Sequence, residues 1–185
     1  DRDGALLIFP EGTSVNELKL RDIKKGSAWI ALGYESERNF EGGLHINTVT
    51  ISYSNPGQFR SMVAVHINPA FKVSEYKDLW MENREEAVLK LTDRIRREME
   101  EQITLTENKE QERTVLLSQK FYTEYIDTSL SRYSNPLASF DLRRKLAEKF
   151  IELEKNDSQK YNELSSSLNQ YFEHLNDKFQ NSILI

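Results

Sequence analysis

The chain has no cysteine among its 185 residues. It therefore has no disulfide framework, no thiolate metal site and no cysteine nucleophile, which fits a reducing compartment. Long apolar runs are also missing, and no stretch approaches the roughly 18 apolar residues of a membrane-spanning helix. No apolar signal segment stands at the start. These absences predict a cytoplasmic protein.

Glycine is confined to one part of the chain. All seven glycines lie at or before Gly57, and the remaining 128 residues have only two prolines. Residues 1–72 carry eight acids and eight bases, so the other 22 acids and 17 bases place the whole net charge of −5 in residues 73–185. A chain with an acidic half and no clustered basic face is not predicted to bind nucleic acid. We therefore predict two domains, 1–72 and 73–185.

The hydrophobic patterns predict different structures in the two domains. The apolar run Ala5–Phe9, ended by Pro10, predicts a short buried strand, and a helix is expected over 21–38. Further strands are expected over 44–53 and 60–67, on either side of a turn. After Pro69, apolar stripes predict four helices, over 75–103, 109–130, 136–155 and 158–180. The fold class expected is α/β, followed by an all-α helical bundle or hairpin.

The loop after the first predicted strand is the strongest candidate for chemistry. Strand ends of α/β sheets bind ligands, and the backbone N–H groups of Gly12, Thr13 and Ser14 could bind an anion. Glu11 is suited to accept a hydrogen bond from a substrate hydroxyl. Positive charge follows at Lys19, Arg21, Lys24 and Lys25. By spacing alone, an ordinary turn with Thr13 or Ser14 as a cap is the favoured alternative.

Three blocks in order resemble the glycerolipid acyltransferase family, whose members acylate glycerol 3-phosphate and lysophosphatidic acid. Phe9 to Ser14 has the sequence FPEGTS and resembles the third signature block of that family. Ile23 to Ala28 resembles the family's lysine–glycine helix start. Ile46 to Tyr53 resembles the strand of its fourth block. The chain departs from the family at Ser14, where arginine is frequent, and at Thr48, where proline is usual. The resemblance covers residues 4–72 and implies the C-terminal part of an acyltransferase-like α/β domain, continuing upstream of Asp1.

The resemblance also implies a site and a reaction. By this resemblance, the acceptor is bound by the loop and by two lysines after it: Phe9, Pro10, Glu11, Gly12, Thr13, Ser14, Lys24 and Lys25. The catalytic pair of the family is a histidine followed after four residues by an aspartate, and none of the three histidines of this chain has that aspartate. No catalytic residue is therefore carried over, and the chain alone is expected to be inactive. The parent protein is expected to transfer an acyl group from acyl-CoA or acyl carrier protein, with no metal or cofactor, in peripheral contact with the inner face of the membrane.

A second hypothesis is a non-catalytic module that binds lipid phosphate or protein. It would keep an acyltransferase-like loop as a relic and use the acidic helices 73–185 to hold a partner. The missing catalytic pair and the long striped helices motivate this alternative.

Overall fold

The protein is mostly helical. A computed structural model describes residues 4–13, 18–54, 59, 61–131 and 135–183, with side chains up to residue 175. Helices account for 61% of the chain, and the strands form two small antiparallel sheets of two strands each. The α-helices are α1 (Gly26–Ser36), α2 (Lys77–Glu82), α3 (Arg84–Glu100), α4 (Lys109–Phe121), α5 (Pro136–Asn156) and α6 (Ser158–Ile183). The strands are β1 (His45–Ile46), β2 (Val49–Tyr53), β3 (Val63–Ile67) and β4 (Phe71–Lys72).

The α/β prediction is wrong, and the run Ala5–Phe9 shows why. These residues are exposed, with Leu7 75% and Phe9 70% accessible, and they form no strand. A strand needs a neighbour to satisfy its backbone groups. The strands that do form are paired with each other, β1 with β4 and β2 with β3. Neither of these sheets includes the run, so in the described part of the chain its backbone lacks a strand partner.

The chain packs into two compact units. The first unit contains Asp1–Asn16, Leu20–Ile51 and Val65–Ile103, and the second contains Glu17–Lys19, Ser52–Ala64 and Thr104–Ile185. In the first unit, α1 and α2 pack on α3. The apolar stripe of α3 is buried there, at Ala87, Val88, Leu91, Ile95 and Met99. Asn83 caps α3, because its side chain accepts a hydrogen bond from Glu86 N.

The second unit contains a bundle of α4, α5 and α6, which pack on one another. Its apolar centre is made by Val115, Ala147, Phe150 and Tyr161. A 3₁₀-helix (Val73–Tyr76) precedes α2, and a π-helical turn (Tyr122–Ile126) and a second 3₁₀-helix (Thr128–Leu130) follow α4. The bundle agrees with the helical packing predicted for this part of the chain.

The hairpin of β2 and β3 turns apolar side chains outward. Hydrogen bonds from Asn68 N to Thr48 O and from Ser54 N to Met62 O flank its ladder. Along β2 the exposed residues include Val49 and Ile51, while Thr50 between them is buried. Along β2 the buried side chain is therefore polar and its exposed neighbours are apolar. A surface strand with one solvated face has the opposite pattern.

Candidate functional site

The predicted acceptor loop is a turn fastened to the segment before α1. Gly12 N donates to Phe9 O at 3.1 Å, and Lys24 N donates to Pro10 O at 2.9 Å. The Glu11 carboxylate accepts from Arg21 N through Oε2 at 3.0 Å. Three hydrogen bonds thus hold the loop in place although its side chains lie at the surface.

Two features favour glycine at position 12. Its φ of +69° lies in the left-handed region that side chains disfavour. A Cβ at this position would also lie 2.6 Å from Lys24 Nζ and 3.0 Å from Lys24 Cε. The lysine side chain therefore lies directly over the bare backbone of the loop, where another residue would displace it.

The predicted residues fall into two groups. The structure brings Lys24 against Gly12, the chain neighbour of Glu11, and it leaves Phe9, Thr13 and Lys25 exposed. Pro10 is half-buried and holds Lys24 N through its carbonyl. Ser14 lies outside the described residues.

The start of α1 adds positive character next to the loop. Lys25 is the N-cap residue and makes no side-chain cap hydrogen bond, and the first turn contains no acidic residue. The N–H groups of a first helical turn have no intrahelical acceptor, and the helix dipole is positive at that end. The glycine turn is therefore followed by two lysines and by an uncapped helix N-terminus. This combination is suited to bind an anion such as phosphate.

The histidines do not form a catalytic pair in the described part of the chain. His45 Nδ1 lies 2.8 Å from Gly43 O, a local backbone contact. His66 is half-buried on β3 and His174 is exposed on α6. No ion pair between a histidine and a carboxylate occurs among the described residues, and no group of three potential metal-ligating side chains is found among them.

The sequence analysis did not single out a cluster of charged residues on α3. Arg94, Arg97, Glu98 and Glu101 line an open cavity of about 360 Å³ together with Tyr76. Burial of Arg94 works against its charge, but hydrogen bonds to Glu75 at 2.7 Å and Glu98 at 3.1 Å outweigh it and raise the Arg94 pKa. Arg97, Glu98 and Glu101 follow Arg94 by three, four and seven positions. In a sequence, this spacing indicates residues that share one face of a helix. The carboxylates of Glu75 and Glu98 balance the charge of Arg94. We therefore interpret the cluster as a structural ion-pair network.

Comparison with known proteins adds no identification. No protein-family model matches the sequence, and searches of curated proteins and of solved structures gave no significant match. The acyltransferase resemblance stays a prediction based on its three blocks. Among the described residues, no helix is long and apolar enough to cross a membrane.

Proposed function

We propose that this chain is part of a phospholipid-synthesis acyltransferase and supplies its acceptor-binding loop. The parent enzyme would move an acyl chain from acyl-CoA or acyl carrier protein to a hydroxyl of a glycerophosphate, in the cytoplasm at the inner face of the membrane. The observation that carries the proposal is the close approach of Gly12 and Lys24, two residues of separate family-like blocks, next to the Glu11 carboxylate that Arg21 N holds. Their contact supports a common binding role.

The geometry suggests how an acceptor would bind. The Lys24 ammonium, next to a turn with a bare glycine, would pair with the phosphate, and the positive end of α1 would add to the attraction. Glu11 has no described partner for Oε1, because only Oε2 is taken by Arg21 N. That free oxygen is suited to accept a hydrogen bond from a glycerol hydroxyl.

The chemical step needs a group that this chain is not predicted to contain. A base must take the proton of the acceptor hydroxyl as its oxygen attacks the thioester carbonyl. The C–S bond then breaks, and the departing thiolate takes up a proton. In the proposed enzyme the histidine of the missing block is the base, and the loop described above holds and orients the acceptor.

Two glycine variants test the acceptor site. Gly12→Ala strains the turn and displaces Lys24, whereas Gly26→Ala introduces a Cβ that meets nothing within 4 Å. We expect calorimetric titration with glycerol 3-phosphate to show binding weakened at least about tenfold in Gly12→Ala and nearly unchanged in Gly26→Ala. Equal affinities in the two variants would contradict the assignment of the loop.

Two measurements separate enzyme from binding module. The 185-residue chain should show no acyl transfer from acyl-CoA, and sequencing of the longer parent should reveal the histidine–aspartate block upstream. The alternative is a non-catalytic lipid-phosphate or protein-binding module, in which the acidic helices 73–185 hold a partner. Binding of the phosphate lipid without turnover by the full-length protein would establish that alternative.

A further inference from the structure

Helix α1 is apolar on two opposite sides. The side toward the core carries buried aliphatic residues, namely Ala28, Ala31 and Leu32. On the other side, Trp29, Ile30 and Tyr34 are 43%, 54% and 41% accessible, with Gly33 half-buried between them. Spacings of three and four positions place these four residues on one side of the helix, which we call the outer face of α1. A helix that is apolar all round is covered on every side, either by protein or by lipid.

The exposed charges around the outer face are mainly positive, although the chain has a net charge of −5. Lys24 and Lys25 are exposed directly before α1, whose first turn contains no acidic residue. After the helix, the Arg38 guanidinium lies 3.9 Å from the centre of the Tyr34 ring. The structure describes every residue from Lys24 to Arg38, and the one exposed acid in this segment is Glu37, which pairs with Arg38 at 3.9 Å. The surroundings of the outer face therefore attract anions.

The residue types and charges together favour an anionic lipid surface as the cover. Tryptophan and tyrosine rings are enriched at the headgroup level of membranes, and cations beside them attract anionic lipids. Beyond its end turns, a helix satisfies its own backbone groups, as contact with lipid requires. A second copy of the chain would instead bring two faces of the same positive charge together.

We propose that the outer face of α1 docks on the headgroup region of an anionic membrane, with Lys25 and Arg38 next to lipid phosphates. The inference rests on the proposed function for its membrane setting, and it adds the surface that makes the contact. Because α1 directly follows Lys24, docking also brings the acceptor loop next to the membrane. Three apolar side chains and a few cations predict a weak, reversible attachment that salt reduces.

Vesicle binding by the whole 185-residue chain tests the proposal. We expect binding to mixed phosphatidylglycerol–phosphatidylcholine vesicles, and binding at least about tenfold weaker to phosphatidylcholine alone. Sodium chloride should weaken the first interaction. Trp80 is only 4% accessible, so a blue shift of tryptophan fluorescence on the vesicles reports that Trp29 has left water.

Two glutamate variants locate the contact. Ile30→Glu puts a carboxylate in the outer face, and we expect it to weaken vesicle binding at least about tenfold. Leu89→Glu is the matched control, because Leu89 is 44% accessible on α3 and lies outside the face. It should bind vesicles like the unmodified chain. Both variants should bind soluble glycerol 3-phosphate with unchanged affinity.

The possible outcomes separate this proposal from the proposed function. Failure of the unmodified chain to bind anionic vesicles, equal binding to both lipid compositions, or equal binding by Ile30→Glu and Leu89→Glu would overturn it. A dimer that Ile30→Glu dissociates would assign the face to a second copy, and would overturn it as well. Binding to anionic vesicles that Ile30→Glu abolishes, without any binding of glycerol 3-phosphate, would support the membrane surface and contradict the proposed acceptor site.

Discussion

Arg143 should be among the most important polar residues for the stability of the second unit. It is only 7% accessible, and its guanidinium donates to Gln119 Oε1 at 2.7 Å, Tyr53 O at 3.1 Å and Ser54 O at 2.9 Å. Gln119 in turn donates to Ser139 O at 2.7 Å. One side chain thus connects α5, α4 and the end of β2.

The expected cost of Arg143→Ala follows from these bonds. A hydrogen bond from a charged donor contributes about 1.5–3 kcal/mol, and three acceptors lose their donor at once. Removing a buried charge returns part of that loss, since its desolvation no longer has to be offset, and water can enter the space left behind. We therefore expect the free energy of unfolding to fall by about 3 kcal/mol.

The neighbouring Arg144 provides a matched control. It forms ion pairs with Asp141 at 3.6 Å and Glu148 at 3.7 Å on the surface of α5. Exposed pairs of this kind contribute about 0.2–1 kcal/mol, so Arg144→Ala should change stability little. The same charge is removed in both variants, but Arg143 is buried and bonds neutral oxygens, whereas Arg144 pairs with exposed carboxylates.

Two spectroscopic probes distinguish the units during urea denaturation. Both tryptophans, Trp29 and Trp80, belong to the first unit, so their fluorescence reports on that unit alone. Hydrogen exchange of α4 and α5 amides reports on the second unit. Arg143→Ala should lower the protection of those amides far more than Arg144→Ala does. Equal effects of the two variants would refute the argument from buried hydrogen bonds.

Two further predictions concern carboxylates of the first unit. Glu35 is fully buried, and its Oε1 accepts from Leu44 N at 2.6 Å, while Oε2 has no hydrogen-bond partner among the described residues. Glu35→Ala should cost about 1–3 kcal/mol in a fluorescence-monitored urea titration, whereas Glu35→Gln, which keeps an acceptor, should stay near wild type. The hydrogen bond from Arg94 lowers the pKa of Glu75 below its ordinary value of 4.5. The ionised Glu75 carboxylate therefore stabilises the fold above pH 4.5, and this stabilisation is lost as the pH falls through the lowered pKa. In acid titrations, Glu75→Gln should therefore lose less stability than wild type.

The helical part of the fold could be predicted from local signals. A helix was predicted over 136–155, and α5 begins at Pro136 with Asn135 accepting from Ala138 N. The apolar stripe of 75–103 predicted one long helix, and α3 covers most of that range. The structure divides the range at Asn83, which ends α2 and caps α3. Caps and periodicity act over a few residues, so a sequence reveals them directly.

The boundaries near the candidate site could not be predicted in this way. A helix was expected from residue 21, but α1 begins only at Gly26, after a segment that is bonded to the loop by Arg21 N to Glu11 and by Lys24 N to Pro10 O. The contact between Lys24 and Gly12 likewise depends on how the loop folds back over a segment that is twelve positions away. The resemblance named both residues as candidates, yet neither spacing nor composition indicated that they touch.

The largest error of the sequence analysis concerns the run Ala5–Phe9. It was predicted to be a buried strand because its side chains are apolar, but the structure leaves Leu7 75% and Phe9 70% accessible. Local hydrophobicity indicates that a segment gains free energy when it is covered, but it does not specify what covers it. Strand pairing depends on contacts between distant parts of the chain, and in the described residues the two sheets are formed by β1 with β4 and by β2 with β3. A strand predicted from composition alone therefore requires a neighbour that the composition does not identify.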